Sequence, residues 1–220
     1  MPQTQDRGSR RILDPPARIS EILFGVIMAL TFTTTIDAAS AGREEVRTLL
    51  FAAVGCNVAW GLVDALMYLV DVLSERGRDL LTLRAVRTAS SPDAARAVIA
   101  GVLPPIVARL LTGDDFARLQ RGLAALTDVP ARPWLAKEDW LGAAGVFLLV
   151  FLSTLPLAVP FVLIADVRVA LRASNALAIV MLFAAGLLLG RYGGYRPALT
   201  GLIMMVLGCG LVALTIALGG

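Results

Sequence analysis

The sequence predicts an all-α integral membrane protein with five transmembrane helices and a helical cytoplasmic insertion between helices 2 and 3. Three observations support this fold class. Of the 220 residues, 57% are hydrophobic, only 17% are charged, and the apolar residues gather in five long runs. Soluble domains carry about 25% charged residues, so this composition excludes an ordinary soluble core with a polar surface.

The five apolar runs have the length that a membrane helix needs. About 17–25 helical residues cross the hydrocarbon core of a bilayer, and a helix satisfies its own backbone hydrogen bonds in lipid. The predicted helices cover residues 19–36, 46–73, 140–164, 173–189 and 198–218.

These helices divide the chain into four parts and orient it. Residues 1–18 form a tail, 19–73 carry helices 1 and 2, 74–139 form the insertion, and 140–220 carry helices 3 to 5. Sixteen of the 20 Lys and Arg residues fall in the tail, the insertion and the loop before helix 5. Because cytoplasmic loops carry the excess of positive charge, we expect a cytoplasmic N-terminus, an external C-terminus and a bacterial-type inner membrane. The basic residues form no single arm or face, which argues against a nucleic-acid partner.

A cleaved signal peptide is the alternative interpretation of the first run. Basic residues precede this run, and Ala39-Ser40-Ala41 after it has the small residues of a signal-peptidase site. Glu21 at its start and the length of the run favour a helix that is retained.

Capping residues and prolines predict that the insertion is helical. Ser91 followed by Pro92 is typical of a helix start, and Pro104-Pro105 ends that helix or starts another. Asp114-Asp115 favours a further helix, whose apolar residues recur at helical spacing from Phe116 onward. This amphipathic helix packs on its neighbours or, alternatively, lies on the membrane or on a partner subunit.

Polar groups inside the predicted membrane helices are the candidates for function, because burying them in lipid is costly. In helix 2, Asn57, Asp64 and Asp71 are seven residues apart and therefore share a face. Asp64 lies near the middle of the run, where a carboxylate can bind a cation or carry a proton. The alternative is a hydrogen-bonded Asp64 that holds helices together. Glu21 and Met28 share a face of helix 1 in the same way.

The remaining distinctive residues indicate structure more than chemistry. Pro156 and Pro160 are expected to bend helix 3. Cys56 and Cys209 lie inside apolar runs and are expected to be small core residues. The chain has no histidine and no Walker loop, GxSxG or CxxC motif. The sequence therefore predicts no enzyme and no bound cofactor.

Several segments match the pattern of one known family. Residues 147–161, FLLVFLSTLPLAVPF, look like that family's third helix with its paired prolines. Residues 174–190 and 201–220 look like its last two helices, and residues 19–32 and 53–68 are similar in layout to its first two. Through these segments, most of the chain after the tail, except the insertion, resembles the vacuolar iron transporter (VIT) family.

The resemblance implies a homodimer of five-helix subunits with a cytoplasmic helical domain between helices 2 and 3. It implies export of Fe²⁺ or Mn²⁺ from the cytoplasm in exchange for protons, so the metal is a transported substrate. The resemblance places an acid and a methionine in the second helix, here Asp64 and Met67. Together with Asn57, Glu21 and Met28, which the spacing identifies, they are the candidates for the transport path.

The chain departs from the family pattern at positions that bind metal in the family. Where family members usually have Asn-Asp-Gly in the first helix, this chain has Ile27-Met28-Ala29. Where they usually have Ser-Met and then Gly-Glu-Tyr in the second, it has Val63-Asp64 and Met67-Tyr68-Leu69. The family's cytoplasmic domain is rich in glutamate, whereas this insertion has Glu75 and Glu138 only at its edges.

Three hypotheses follow for the function. The leading one is a transporter of divalent metal cations of the Fe²⁺/Mn²⁺ type, coupled to protons, with Asp64, Asn57, Glu21 and Met28 along the path. The alternative is a non-transporting membrane scaffold or regulator built on the same helices. The third is a membrane enzyme that uses Asp64, although no nucleophile or metal triad accompanies it in the sequence.

Overall fold

The computed structural model describes residues 15–34 and 43–217, and all of the regular structure in these ranges is helical. The described residues form two compact units. One comprises the described residues up to Tyr68 together with those from Trp140 onward, and the other runs from Leu69 to Asp139. The helices are α1 (Pro15–Thr34), α2 (Arg43–Arg87), α3 (Pro92–Val102), α4 (Pro105–Leu110), α5 (Gly113–Ala125), α6 (Lys137–Leu163), α7 (Val167–Gly193) and α8 (Pro197–Ala217).

Four helices within the described ranges are long and apolar enough to cross a membrane. They are Leu50–Arg87 of α2, the whole of α6 and α7, and Pro197–Leu214 of α8. The predicted all-α class is confirmed, and these helices indicate a membrane protein. The first of the five predicted spans corresponds to α1, which is helical but is not one of these four.

Some sequence predictions fall outside the described residues. They include most of the tail (1–18), Ala39-Ser40-Ala41, and the last residues of the predicted spans 19–36 and 198–218. Of these two spans, the structure describes residues 19–34 and 198–217.

Helix α2 is longer than the apolar run that predicts it. The run ends at Leu73, whereas α2 continues to Arg87. A fall in hydropathy indicates where a helix leaves an apolar environment. It does not indicate where the helix ends. Between Leu73 and Pro92 the sequence is rich in Arg, Leu and Ala, which have high helix propensity, and a single glycine, Gly77, is tolerated.

One face of helix α1 is buried in the first unit. Its residues Ile19, Leu23, Val26 and Leu30 are buried, and Val26 is fully inaccessible. They recur at helical spacing and form one core with Leu157 of α6 and with buried α7 residues. The opposite side of α1 carries Glu21, Gly25 and Met28.

Helices α7 and α8 pack closely through small residues. A Cβ atom at Gly186 would lie 2.8 Å from the Cα of Gly201, and one at Gly190 would lie 2.7 Å from the Cα of Pro197. Only glycine fits such an approach of two backbones, as the four-residue spacing of small residues predicts. Helix α7 is capped by Gly194, whose φ of 75° is the left-handed conformation typical of a C-terminal cap.

The second unit has its own small core. Val86 of α2, Ala95 and Ile99 of α3, and Phe116 of α5 are buried against one another. The predicted start of α3 is confirmed, because the Ser91 side chain accepts a hydrogen bond from the Ala94 amide. The double proline separates α3 from α4, and α5 begins at Gly113.

Arginines of α2 hold the irregular segment that follows α5. Arg84 donates to the carbonyl of Ala131 over 2.7 Å, and Arg87 donates to the carbonyl of Leu126. Arg76 forms a two-pronged ion pair with Asp139, at 2.7 Å and 2.9 Å. These contacts satisfy carbonyl groups of a segment that has no regular structure of its own.

Candidate functional site

The acidic pair Glu21 and Asp64 lies where α1 meets α2. The two carboxyl groups are close enough to interact, and both side chains are half-buried. Asp64 Oδ2 is buried and has no hydrogen-bond partner. A carboxylate has no hydrogen to donate, so two carboxyl groups can form a hydrogen bond only when one of them is protonated. The pair can therefore carry a proton, or can bind a cation when that proton leaves.

Asn57 forms a second polar position two helical turns away on α2. It is only 4% exposed. Its Nδ2 donates to Thr154 Oγ1 and, over 3.1 Å, to the carbonyl of Phe151 in α6. Its Oδ1 is buried without a hydrogen-bond partner. An unpaired buried acceptor destabilises a fold unless something else satisfies it, so this oxygen is available to a ligand.

Two sulfur atoms meet beside Asn57. The thiol of Cys56 in α2 donates to the thioether of Met28 in α1, with 3.9 Å between Sγ and Sδ. Met28 and Asn57 also line one shallow pocket of the first unit. The other residues of that pocket are Ala29, Leu50, Ala53, Val54, Thr154, Leu155, Leu157 and Ala158.

The polar groups thus occupy two levels of the α1–α2 contact. Glu21 pairs with Asp64 at one level, and Met28 pairs with Cys56 at the other. Glu21 and Met28 are seven residues apart, and Asp64 and Cys56 are eight apart, so the levels are separated by about 10–12 Å along the helices. The number on α2 falls as the number on α1 rises, which is the pattern of antiparallel helices.

A continuous face of α2 packs on α6 alongside this site. Asn57 contacts Thr154, a Cβ at Gly61 would lie 3.0 Å from the Phe147 ring, and one at Gly142 would lie 2.5 Å from Tyr68 Oη. As the α2 number rises, the α6 number falls, which is the pattern of antiparallel helices. Gly61 and Gly142 allow the ring of the opposite helix to approach. Asp64 lies between the contact of Gly61 with Phe147 and the contact of Tyr68 with Gly142.

The predicted site residues do not all lie together. Glu21, Met28, Asn57 and Asp64 gather at the α1–α2 contact, as described above. Met67 is 52% exposed, so most of its side chain lies outside the packed interior. Asp71 is exposed and belongs to the second unit. Pro156 and Pro160 lie inside α6, which continues as a helix through both of them.

Sequence reasoning missed two residues of the site. Thr154 was read only as part of the proline-containing segment, yet it is buried and is the partner of Asn57. Cys56 is half-buried, and its thiol contacts the Met28 sulfur. The prediction of a core residue is wrong for Cys209, which is exposed. The available signal for Thr154 is a polar residue inside an apolar run. The available signal for Cys56 is a sulfur atom next to Asn57 in the chain.

The donor atoms of the site suit cations of different kinds at the two levels. Carboxylate oxygens bind protons and hard or borderline divalent ions, whereas sulfur atoms bind soft ions. Among the described residues, no three Cys, Asp or Glu side chains lie close enough together to hold a metal ion. A metal ion bound here would need the Asn57 amide, the Met28 thioether or water among its ligands.

Comparison with known proteins assigns no family. No model of a known protein family matches the chain, and no characterised protein matches it either.

Proposed function

We propose that the protein is a membrane transporter of divalent metal cations, of the Fe²⁺/Mn²⁺ type, that exchanges the metal for protons and exports it from the cytoplasm. The contact between Glu21 and Asp64 is the observation that supports this function most strongly. These two acids lie on neighbouring helices inside a unit built of membrane-length helices. An apolar pair would pack the two helices equally well, so packing alone does not explain the acids.

The chemistry of exchange follows from the shared proton. In the protonated state the pair is a hydrogen-bonded unit of low charge, which the membrane interior tolerates. When the proton leaves, the two carboxylates repel each other unless a cation replaces it. The proton and the metal ion therefore compete for the same carboxyl pair. This competition couples metal transport to proton transport.

The packing of α1 supports a five-span topology. Val26 and Leu30 in the middle of α1 are almost fully buried within the first unit, against helices that are long enough to cross a membrane. A helix with such surroundings lies at the same depth as its neighbours. With five spans, the distribution of Lys and Arg supports a cytoplasmic N-terminus, a cytoplasmic insertion and an external C-terminus.

A non-transporting scaffold or regulator is the alternative. The observation that favours it is the absence, among the described residues, of three acidic or thiol side chains grouped as a metal site. On this alternative the contact between Glu21 and Asp64 only holds α1 against α2.

Metal uptake by sealed vesicles tests the proposal. The full chain is reconstituted in liposomes, a proton gradient is imposed, and uptake of Mn²⁺ and Fe²⁺ is followed for the wild type, Asp64→Asn and Glu21→Gln. The control is Asp71→Asn, because Asp71 lies on the same helix but is exposed and outside the site.

Transport requires uptake by the wild type and by Asp71→Asn, and its loss in Asp64→Asn and Glu21→Gln. Uptake that survives in both site variants contradicts the role of the acidic pair. If the wild-type protein unfolds cooperatively on heating, and is therefore folded, but takes up no metal, the scaffold is favoured.

A further inference from the structure

The contact between the Met28 thioether and the Cys56 thiol has a geometry that a metal ion can use. The two sulfur atoms are 3.9 Å apart, on α1 and α2 respectively. Zinc–sulfur bonds in proteins are about 2.3 Å long, and two bonds of that length would span this separation at an angle of about 115°. That angle lies between the tetrahedral and the trigonal value, so an ion can bridge both sulfurs without movement of either helix.

A third candidate donor lines a pocket together with Met28. Asn57 follows Cys56 in the chain, is 4% exposed, and has an Oδ1 atom with no hydrogen-bond partner. Asn57 lines the same pocket as Met28, and apolar side chains supply most of the rest of its surface. The buried oxygen is an observation independent of the sulfur contact, and it indicates that this level is incomplete without a ligand.

The donor set favours a soft ion. Thioether and thiolate sulfur select Cu(I) and similar ions, whereas Mg²⁺, Ca²⁺ and Mn²⁺ prefer carboxylate, carbonyl and water oxygens. The hard donors of the site, Glu21 and Asp64, are about 10 Å away along the helices. The two levels are therefore chemically distinct.

We propose that Met28 and Cys56 form a binding site for a soft monovalent cation of the Cu(I) or Ag(I) type, with Asn57 Oδ1 as a third donor. The ion forms bonds to both sulfurs, the Cys56 thiol releases its proton to solvent, and the oxidation state of the ion does not change. This inference rests on the proposed transport function only in placing the site on the transport path. Binding itself requires no transport.

Silver binding to the purified full-length protein in detergent tests the site. Ag(I) is titrated calorimetrically into the wild type, Met28→Leu and Cys56→Ser, and X-ray absorption reports the atoms around the bound ion. Leucine conserves the volume of methionine, so Met28→Leu is expected to fold. The matched controls are Cys209→Ser, which removes the other cysteine, and Met67→Leu, which removes a methionine on the exposed side of α2.

The site requires an Ag(I) with two sulfur neighbours in the wild type, in addition to any ion bound by the exposed thiol of Cys209. It also requires an affinity that falls at least about tenfold, or 1.4 kcal/mol, in both Met28→Leu and Cys56→Ser but not in the controls. Unchanged affinity in both site variants overturns the proposal, and so does a loss confined to Cys209→Ser.

The outcome is separable from that of the proposed function. Asp64→Asn is expected to bind Ag(I) as the wild type does, because the sulfur level does not include Asp64. Mn²⁺ uptake that depends on Asp64, together with no Ag(I) binding at the sulfurs, leaves the transport proposal standing and overturns the soft-ion site. Ag(I) binding without any metal uptake supports the site and contradicts transport.

Discussion

Asn57 of α2 and Thr154 of α6 are joined by a hydrogen bond between two buried side chains. The Thr154 hydroxyl in turn donates to the carbonyl of Phe151, which also accepts from Asn57. This three-membered network fixes α2 on α6 beside the two levels of the site, and it holds the Asn57 amide in one orientation.

Replacing Thr154 by valine tests the strength of this link. Valine keeps the shape of threonine but removes the acceptor of the Asn57 amide. We expect the free energy of unfolding in mixed micelles to fall by about 1 kcal/mol, the usual size of a hydrogen bond between membrane helices. The control is Thr48→Val, since the Thr48 hydroxyl is exposed and bonds only to the carbonyl of Glu44 in its own helix. Equal losses in the two variants would show that the interhelical bond contributes nothing.

Gly186→Ala is expected to separate α7 from α8. The new Cβ would lie 2.8 Å from the Cα of Gly201, and a backbone cannot rotate away as a side chain can. Overpacking of this kind destabilises proteins by about 1–3 kcal/mol. Gly210→Ala in α8 is the control, because nothing lies within 4 Å of its Cβ position. The control is expected to be neutral or slightly stabilising, and a similar loss in both variants would contradict the tight contact.

The Arg76–Asp139 ion pair is expected to stabilise the second unit measurably. Asp139 is 7% exposed and also accepts from the Ala136 amide at 2.6 Å. Asp139→Asn alone is expected to destabilise by about 1–3 kcal/mol, because Arg76 then lacks its counter-charge. Adding Arg76→Met to that variant is expected to cause little further loss.

The control for this double-mutant cycle is the exposed pair Glu44 and Arg47, whose closest atoms are 3.9 Å apart. Glu44→Gln is expected to change stability by less than about 0.5 kcal/mol. Additive losses at Arg76 and Asp139 would mean that the two side chains are not coupled.

The start of α5 gives a prediction about pH. Hydrogen bonds from the Thr112 hydroxyl and backbone amide lower the pKa of Asp115 below its ordinary value. A carboxyl group with a lowered pKa in the folded state stabilises the fold above its unfolded pKa, near 4, and this contribution is lost as the pH falls through the folded value. Helix α5 is therefore expected to lose protection against hydrogen exchange on acidification.

Removing the hydroxyl tests the cause. In Thr112→Val, the NMR titration midpoint of the Asp115 carboxyl is expected to rise towards the ordinary aspartate value. Thr88→Val, which removes an exposed hydroxyl at the end of α2, is expected to leave it unchanged. An unshifted midpoint in Thr112→Val would contradict the capping interaction.

Apolar runs and capping residues predict the helices well, because both are local properties of the chain. The run from residue 140 to 164 corresponds to α6, and Ser91 caps α3 as expected. The length of α2 was missed because hydropathy reports the environment of a helix and not its end. Beyond Leu73 the sequence is rich in Arg and Leu, and only their helix propensity predicts that α2 continues.

The candidate site was predictable one helix at a time. Seven-residue spacing identifies Asn57 and Asp64 on one face and Glu21 and Met28 on another. The spacing does not identify which faces meet, because that depends on long-range packing. The pairings of Glu21 with Asp64, Met28 with Cys56, and Asn57 with Thr154 therefore emerge only from the folded chain.

Proton release on metal binding tests the central claim most directly, since Glu21 and Asp64 are proposed to exchange a proton for a cation. Mn²⁺ is added to the purified protein in weakly buffered detergent solution, and the pH change is read with a dye. The account predicts proton release by the wild type and by Asp71→Asn, and none by the double variant Glu21→Gln/Asp64→Asn. Equal release by the double variant, or Mn²⁺ binding by the wild type without release, would contradict it.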